Sequence, residues 1–417
     1  MAPTEELDPK FGGMRPFGTV LPFDEARQLI HATAHPVEGR ERLELVAASG
    51  RVLADDVAAP FDVPGFDRSA MDGYAVRSLD LADATDTAPV WLALAGRARP
   101  GHVYDGRLGE RACIDIATGA PLPDGADAVV MVERTRRAAG RVRFSGPAAR
   151  GEHVSRRASD VAAGAVVLRA GDELTPARLG VAASFGLREV RVRRQPVVAL
   201  VSSGDELLDA QLDAGPPAPG RIYDANRVML AAICEAAGAR VTPLPLVRDT
   251  MGHWRDALDA AVGADLVVCS GGSSVGEQDF VADLIAERGE MLFHGIAVKP
   301  GKPTGFARIG AQLVLAMPGN PTSCLSNAYV LLRPLVRRLA GLPPLVAQVR
   351  EATLARELKS PRDRLQFHPV RLDGDAALPA FKGSGDVTSL SDADGYVEVP
   401  VGVTNVAAGT RVVVTLY

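Results

Sequence analysis

Cysteine is scarce and widely spaced in this chain: Cys113, Cys234, Cys269 and Cys324 form no C-x-x-C pair, and no histidine stands at zinc-finger spacing from them. That excludes a disulfide framework and a structural zinc knot, and it fits a reducing compartment, read here as the cytoplasm. Aromatic residues make up only 5% of 417, too few for a base-stacking surface. A surplus of one charge sign is also missing. Lys plus Arg number 46 against 51 Asp plus Glu, a net of −5. Bulk attraction to nucleic acid is therefore excluded, and any anionic ligand must be held by a local site. No run approaches the roughly 18 apolar residues of a membrane span. The start, MAPTEELDPKFGGMRPFG, has no apolar stretch behind a basic end, so no secretory signal is expected.

What is present is the composition of a soluble protein, 47% apolar and 23% charged, whose length predicts roughly three domains. From Pro22 to His31, Asp24 and Glu25 precede Leu29 and Ile30, which predicts a short helix with acids in its first turn. Between about Val46 and Val192, short apolar runs such as RACIDIATG and AVVMVE are broken by Gly, Pro and Asp, a β-rich texture. The texture changes near Gln195. PVVALVSSG reads as a strand buried on both faces. ANRVMLAAICEAAG follows as a helix, with Asp224 as N-cap, Gly238 as stop and Met229, Ala232, Ile233 and Ala236 at helical spacing. RVTPLPLV, DLVVCSGG and QLVLAMPG read as further strands, alternating with helices. The last helix has Asn320 as N-cap and Pro321 at its first position, with Leu325, Ala328, Tyr329 and Leu332 on one face. This alternation predicts a parallel, doubly wound α/β sheet. After GLPPL the texture is β again, predicting a small C-terminal barrel or sandwich.

In such a sheet, ligands collect beyond the carboxyl ends of the strands. The predicted loops there hold Ser202 to Glu206, Arg248-Asp249, Ser270 to Asp279, Lys299 to Pro303 and Pro318 to Pro321. Ser270, Gly271, Gly272 and Ser273 form a small, Gly-rich loop entering a helix, which suits an anion cradle, although a plain βα turn has the same composition. Lys299 and Lys302 flank a stiff Pro-Gly turn and suit an oxyanion; they are otherwise two solvated lysines. Glu206, Asp249 and Asp279 each end or follow a different strand. Their convergence beside an anion would suit Mg²⁺ bridging to phosphate, against the alternative of helix capping for Glu206 and Asp279. In the β-rich half, PGFDRSAMDGYA is poor core material. Asp72-Gly73 could be a hairpin turn, leaving Asp67 and Ser69 free for a ligand, and Thr118 offers a spare hydroxyl. Gly272 to Gly276 also matches the G-x-S-x-G of a serine hydrolase, but only His294 and His368 lie downstream and neither is placed as a base.

Read together, PGFDRSAMDGYAVR, ATGAPLPDGADAVV, SSGDEL, YDANRVML, SGGSSVGEQDF, VKPGKP and MPGNPTSCLSNAYVLLRPLV resemble the molybdopterin molybdenumtransferase family, the bacterial MoeA proteins and the E-domain of gephyrin. The resemblance runs from about residue 15 to the C-terminus. It implies a multidomain fold, α/β plus β, with a doubly wound, molybdopterin-binding-like α/β domain at 195–343. A discontinuous linking domain at 15–60 and 148–194, a β-rich inserted domain at 61–147 and a barrel-like C-terminal β domain at 344–417 complete it. The implied reaction is transfer of molybdate into adenylylated molybdopterin with release of AMP, with Mg²⁺ or a similar ion.

By motif match, Asp67 and Thr118 would complete the site from the insertion of a second chain in a homodimer. Glu206, Asp249 and Asp279 would hold metal or orient substrate, and Lys299 and Lys302 would contact anions. Pro318 and Asn320 belong to the substrate loops, and Arg364 and Ser384 become candidate molybdate contacts. Asp363, His368 and Ser159 stand where the family usually has Gly, Arg and Gly. Implied partners are the molybdopterin adenylyltransferase and molybdoenzyme maturation factors, with no nucleic acid and no membrane. Two rivals are a scaffold of the gephyrin kind and the adenylyltransferase itself, which is usually a single small α/β domain.

Overall fold

The computed structural model describes residues 20–210, 212–272 and 279–417. The chain divides into two units, one of residues 55–170 and 175–189, the other of residues up to 54, 171–174 and 190–417. The second unit opens with helix α1 (Phe23–Thr33), whose first turn carries Asp24 and Glu25. Phe23, Ala26 and Ile30, spaced at helical intervals, are its buried residues.

In the first unit a six-stranded sheet is built from β1 (Gly73–Val76), β2 (Val90–Ala98), β3 (Ala112–Ile116), β4 (Ala128–Met131), β5 (Thr135–Ala138) and β6 (Arg141–Phe144). Its strand order is β4-β1-β3-β2-β6-β5. Tyr74, Leu92, Val130, Val142 and Phe144 pack one core, where the rings of Tyr74 and Phe144 meet edge to face at 6.1 Å. Asp72-Gly73 is not a hairpin turn, because the preceding strand pair (Arg68–Ser69) bonds to Val154–Ser155 instead. Gly73 is needed for a different reason: a Cβ there would lie 2.0 Å from the Val130 carbonyl oxygen across the sheet.

The α/β part of the second unit follows the predicted alternation. Its elements are β7 (Val197–Ser202), α3 (Ala225–Ala236), β8 (Arg240–Pro243), α4 (Met251–Ala260), β9 (Leu266–Ser270), α5 (Phe280–Arg288), β10 (Glu290–His294), β11 (Val298–Lys299), β12 (Gly305–Ile309) and β13 (Gln312–Met317); α2 (Pro176–Ser184) belongs to the first unit. Strand residues alternate between two cores. Val198, Leu200, Leu266, Val268, Leu313 and Leu315 face α1 and α3, whereas Ala199, Val201, Val267, Cys269, Val314 and Ala316 face α4 and α5. That is why the runs read as continuously apolar.

The sheet order is β8-β7-β9-β13-β12-β10, and the first four strands pair in parallel. β12 alone is reversed, pairing antiparallel with β13 on one side and β10 on the other, a correction to the all-parallel expectation. The cause is a two-residue turn between Ile309 and Gln312, with Gly310 at φ +59°, which folds β12 back onto β13. On α3 the buried face is Asn226, Leu230, Ile233 and Cys234, while Ala232 and Ala236 are exposed, so the expected face is rotated. Asp224 does cap that helix, accepting from the Arg227 amide at 3.0 Å. The last helical stretch of the α/β part is α6 (Pro321–Asn327), a π turn at Ala328–Leu332 and α7 (Arg333–Leu339). Pro334 lacks an N–H and sits just after the π turn, which removes the need for an ordinary helical bond there.

The C-terminal β part is a closed barrel. β14 (Val349–Leu354), β15 (Leu365–Asp373), β16 (Ala376–Pro379), β17 (Gly395–Val399) and β18 (Arg411–Leu416) pair in the order β15-β16-β14-β18-β17, and β17 pairs back to β15. Strand β11 joins the same sheet, with Val298 opposite Leu365 and Lys299 opposite Gln366. The lysine loop is thereby stitched to the barrel.

Candidate functional site

Register places the site. Ser202 on β7 lies opposite Ser270 on β9, and Ser270 opposite Met317 on β13, so three loops leave the sheet at one level. Gly271 and Gly272 follow Ser270 with φ of +88° and +66°. A Cβ at Gly271 would lie 2.3 Å from the Ser203 carbonyl oxygen, and one at Gly272 would lie 2.4 Å from the Trp254 ring. Only glycine fits this turn. Ser270 is buried behind it: its hydroxyl accepts from the Asn226 amide at 2.7 Å, and the same amide donates to the Gly319 carbonyl at 2.7 Å. Asn226 thus ties the ends of β9 and β13 together, a role that the YDAN motif did not reveal because Asp224 absorbed its meaning as a cap.

A cavity of about 610 Å³ opens at this edge, within the range of small-molecule sites. Its lining includes Gly271, Gly272, Lys299, Lys302, Pro318, Asn320, Arg364 and Ser384, all eight named above from sequence. Ser323, Pro361, Phe381 and Gly383 line it as well and were not foreseen. Three cations and no carboxylate face this space among the described residues. Asn320 occupies the N-cap position of α6 without capping it; its amide reaches Ser384 Oγ at 3.3 Å instead. The Thr322 amide donates to the Ser384 carbonyl at 3.1 Å, so the barrel loop is bound to the start of α6. His368, one of the departures noted above, is buried one strand position beyond Phe367, its Nε2 3.1 Å from the Lys359 carbonyl. Burial holds its ring below the usual histidine range.

The three acids do not share one place. Glu206 is exposed and folds back over Gly204, where an added Cβ would lie 2.6 Å from its carboxylate. Asp249 is exposed on the neighbouring loop and accepts the Ser203 hydroxyl. Asp279 is only 6% exposed: one oxygen caps α5 through the Ala282 amide at 2.9 Å, and the other lies 2.9 Å from His294 Nε2. Among the described residues no three His, Cys, Asp or Glu are grouped to hold a metal, so the expected convergence of all three acids is not met there. Ser273, with Ser274 of the G-x-S-x-G pattern, lies outside the described residues.

In the other unit, the loops of Asp67 and Thr118 are laced together. The Leu122 amide donates to the Asp67 carbonyl at 2.8 Å, the Gly119 amide to the Ser69 carbonyl at 2.8 Å, and the Thr118 amide to the Asp72 carboxylate at 2.8 Å. Neither Asp67 nor Ser69 is free, contrary to expectation. The Asp67 carboxylate accepts from the Arg157 amide at 2.8 Å and the Arg156 guanidinium at 2.6 Å, and these hold it below the usual carboxylate range. Ser69 is 1% exposed, and its hydroxyl donates to the Met71 carbonyl at 2.5 Å. Thr118 remains exposed. All four cysteines are buried, which pushes each thiol up to about 12 and leaves no ready nucleophile among them.

Three family profiles match in chain order. They are the MoeA N-terminal region (domain I and II) over residues 21–186, a probable molybdopterin binding domain over 199–338, and the MoeA C-terminal region (domain IV) over 351–417. The chain is 39% identical to molybdopterin molybdenumtransferase 2 of Mycobacterium tuberculosis, over 88% of this chain and 92% of the relative. It is 33% identical to the molybdopterin molybdenumtransferase of Haemophilus influenzae, over 95% and 98%. Among solved structures, a molybdopterin biosynthesis MoeA protein from Pyrococcus horikoshii superposes with a TM-score of 0.82 at 36% identity, covering 95% of this chain and 99% of that one.

Proposed function

The chain belongs to the MoeA family of molybdopterin molybdenumtransferases, and from that premise we propose that the cavity at the sheet edge receives molybdate and adenylylated molybdopterin and releases AMP. One observation carries this reading: Lys299, Lys302 and Arg364 line a single cavity that no carboxylate enters among the described residues. Molybdate, the pterin phosphate and the adenylate are all anions. A protein of net charge −5 cannot gather them by its overall field, so the charge must be local. Gly271 and Gly272 let the backbone approach an anion closely, and Ser384 and Asn320 add polar side chains to the lining.

Mg²⁺ fits two of the three acids. Glu206 and Asp249 are exposed on adjoining loops, and one or two carboxylates with phosphate oxygens and water form the usual Mg²⁺ shell. Bound there, the ion would shield the phosphoanhydride charge. Asp279, the third acid proposed for the site, also caps α5 and lies 2.9 Å from His294 Nε2. We further propose a cytoplasmic homodimer in which Asp67 and Thr118 of one protomer complete the other's site. The adenylyltransferase and molybdoenzyme maturation factors are the partners this chemistry requires. A scaffold without turnover and an adenylyltransferase are both disfavoured by the transferase names carried by relatives of nearly the same length.

The test is to incubate the purified chain with adenylylated molybdopterin and Mg²⁺. AMP release that requires molybdate supports the reading. AMP release indifferent to molybdate, or adenylylation of molybdopterin from ATP, overturns it.

A further inference from the structure

We propose that Asn327 and Thr304 are positioning residues that lock the Lys299–Lys302 turn in the geometry its two ammonium groups need; the inference rests on the cavity reading above. Neither residue lines the cavity, and both are 0% exposed. The Asn327 side-chain amide spends one proton on the Gly301 carbonyl at 2.9 Å and the other on Thr304 Oγ1 at 2.7 Å. Thr304 Oγ1 in turn donates to the same Gly301 carbonyl at 2.9 Å. The three groups form a closed triangle at the apex of the turn, between the two lysines.

Sterics reinforce the triangle. Gly301 has φ +106°, and a Cβ there would lie 2.2 Å from Asn327 Nδ2, so the backbone of the turn rests directly on the amide. The Lys302 carbonyl is also fixed, accepting from the Ile296 and Thr304 amides at 3.0 and 2.8 Å. Lysine ammonium groups are point charges on long, flexible stems, so the direction in which each stem leaves the backbone sets how much freedom must be lost on binding. Asn327 is also one helical turn from Ser323, which lines the cavity, so α6 ties the lysine turn to another part of the cavity lining. A buried asparagine in the apolar run SCLSNAYVLL has no packing rationale of its own. It is explained by the carbonyl it holds.

Thr304→Val keeps the side-chain volume and removes the hydroxyl, while Thr304→Ser restores it. Loss of this hydrogen bond should raise the molybdate concentration giving half-maximal AMP release by about fivefold or more, with a smaller change in kcat. Thr304→Ser should return it to within about twofold of wild type, and Asn327→Ala should act in the same direction as Thr304→Val. In a background with both Lys299→Ala and Lys302→Ala, Thr304→Val should add little, because it works through those two lysines. Should Thr304→Val only lower the melting temperature, or should its effect simply multiply with that of the double lysine variant, the positioning role is refuted while the cavity reading stands. If Lys299→Ala and Lys302→Ala themselves leave molybdate handling unchanged, the cavity reading has failed instead.

Discussion

Asp279 shows how one side chain can serve structure at a place where chemistry was expected. Its sequence setting, between a Gly-rich loop and an apolar helix, fits both a metal ligand and an N-cap. The folded chain gives its oxygens to the Ala282 amide and to His294. Asparagine caps helices as well as aspartate does, whereas alanine does not. Asp279→Asn keeps the cap and alters only the contact with His294, whereas Asp279→Ala loses both, so Asp279→Ala should be less stable than Asp279→Asn by about 1 kcal/mol in chemical denaturation. A loss of AMP release in Asp279→Asn greater than its loss of stability would support the proposed role for its charge in turnover. Asn226, Thr304 and Asn327 teach the complementary lesson. They bear no catalytic signature in sequence, because what they bind are backbone carbonyls and hydroxyls that only folding brings near.

At the scale of elements, the α/β sheet is anchored at its amino end by Asp265. That carboxylate is partly buried, which alone would raise its pKa, but the paired Arg194 guanidinium at 2.7 Å and the Val197 amide at 2.8 Å outweigh burial and hold it below the usual range. A lowered folded-state pKa contributes stability above the unfolded value, near 3.8, and loses it as pH falls through the folded value. Asp265→Asn should cost about 1.5–3 kcal/mol at neutral pH. The gap to wild type should close as pH is lowered below the unfolded carboxylate range, and urea titrations at several pH values would show it. A gap independent of pH would mean that the charge is not what stabilises this end.

The elements themselves were largely legible. PVVALVSSG, DLVVCSGG and QLVLAMPG are strands because their residues alternate between two apolar cores. What escaped was the antiparallel pair at the far edge, hidden in RIGAQ, and the phase of α3, which follows buried Asn226 rather than the alanines. The eight residues that meet in the cavity come from three loops and the barrel, and the type and strand-end position of the loop residues were readable. Their partners were not, since hydrogen bonds such as Asn320 to Ser384 span separate parts of the chain.

At the scale of the whole molecule, a net charge of −5 coexists with a cavity lined by three cations, so anion handling should be a property of that cavity alone. The proposed homodimer predicts that light scattering at micromolar concentration gives about twice the chain mass; a fully active monomer would remove any role for a second chain in the site. The most direct test of the account is the molybdate concentration giving half-maximal AMP release in wild type, Lys299→Ala and Lys302→Ala, measured beside chemical denaturation. The lysines are half-buried, and the turn's backbone is held by Asn327 and Thr304 rather than by the ammonium groups, so stability should change by no more than about 1 kcal/mol. Losing a charge-assisted contact to an oxyanion should raise the half-maximal concentration roughly ten- to hundredfold. Lysine variants that match wild type in both measurements would contradict the assignment and move the molybdate site elsewhere.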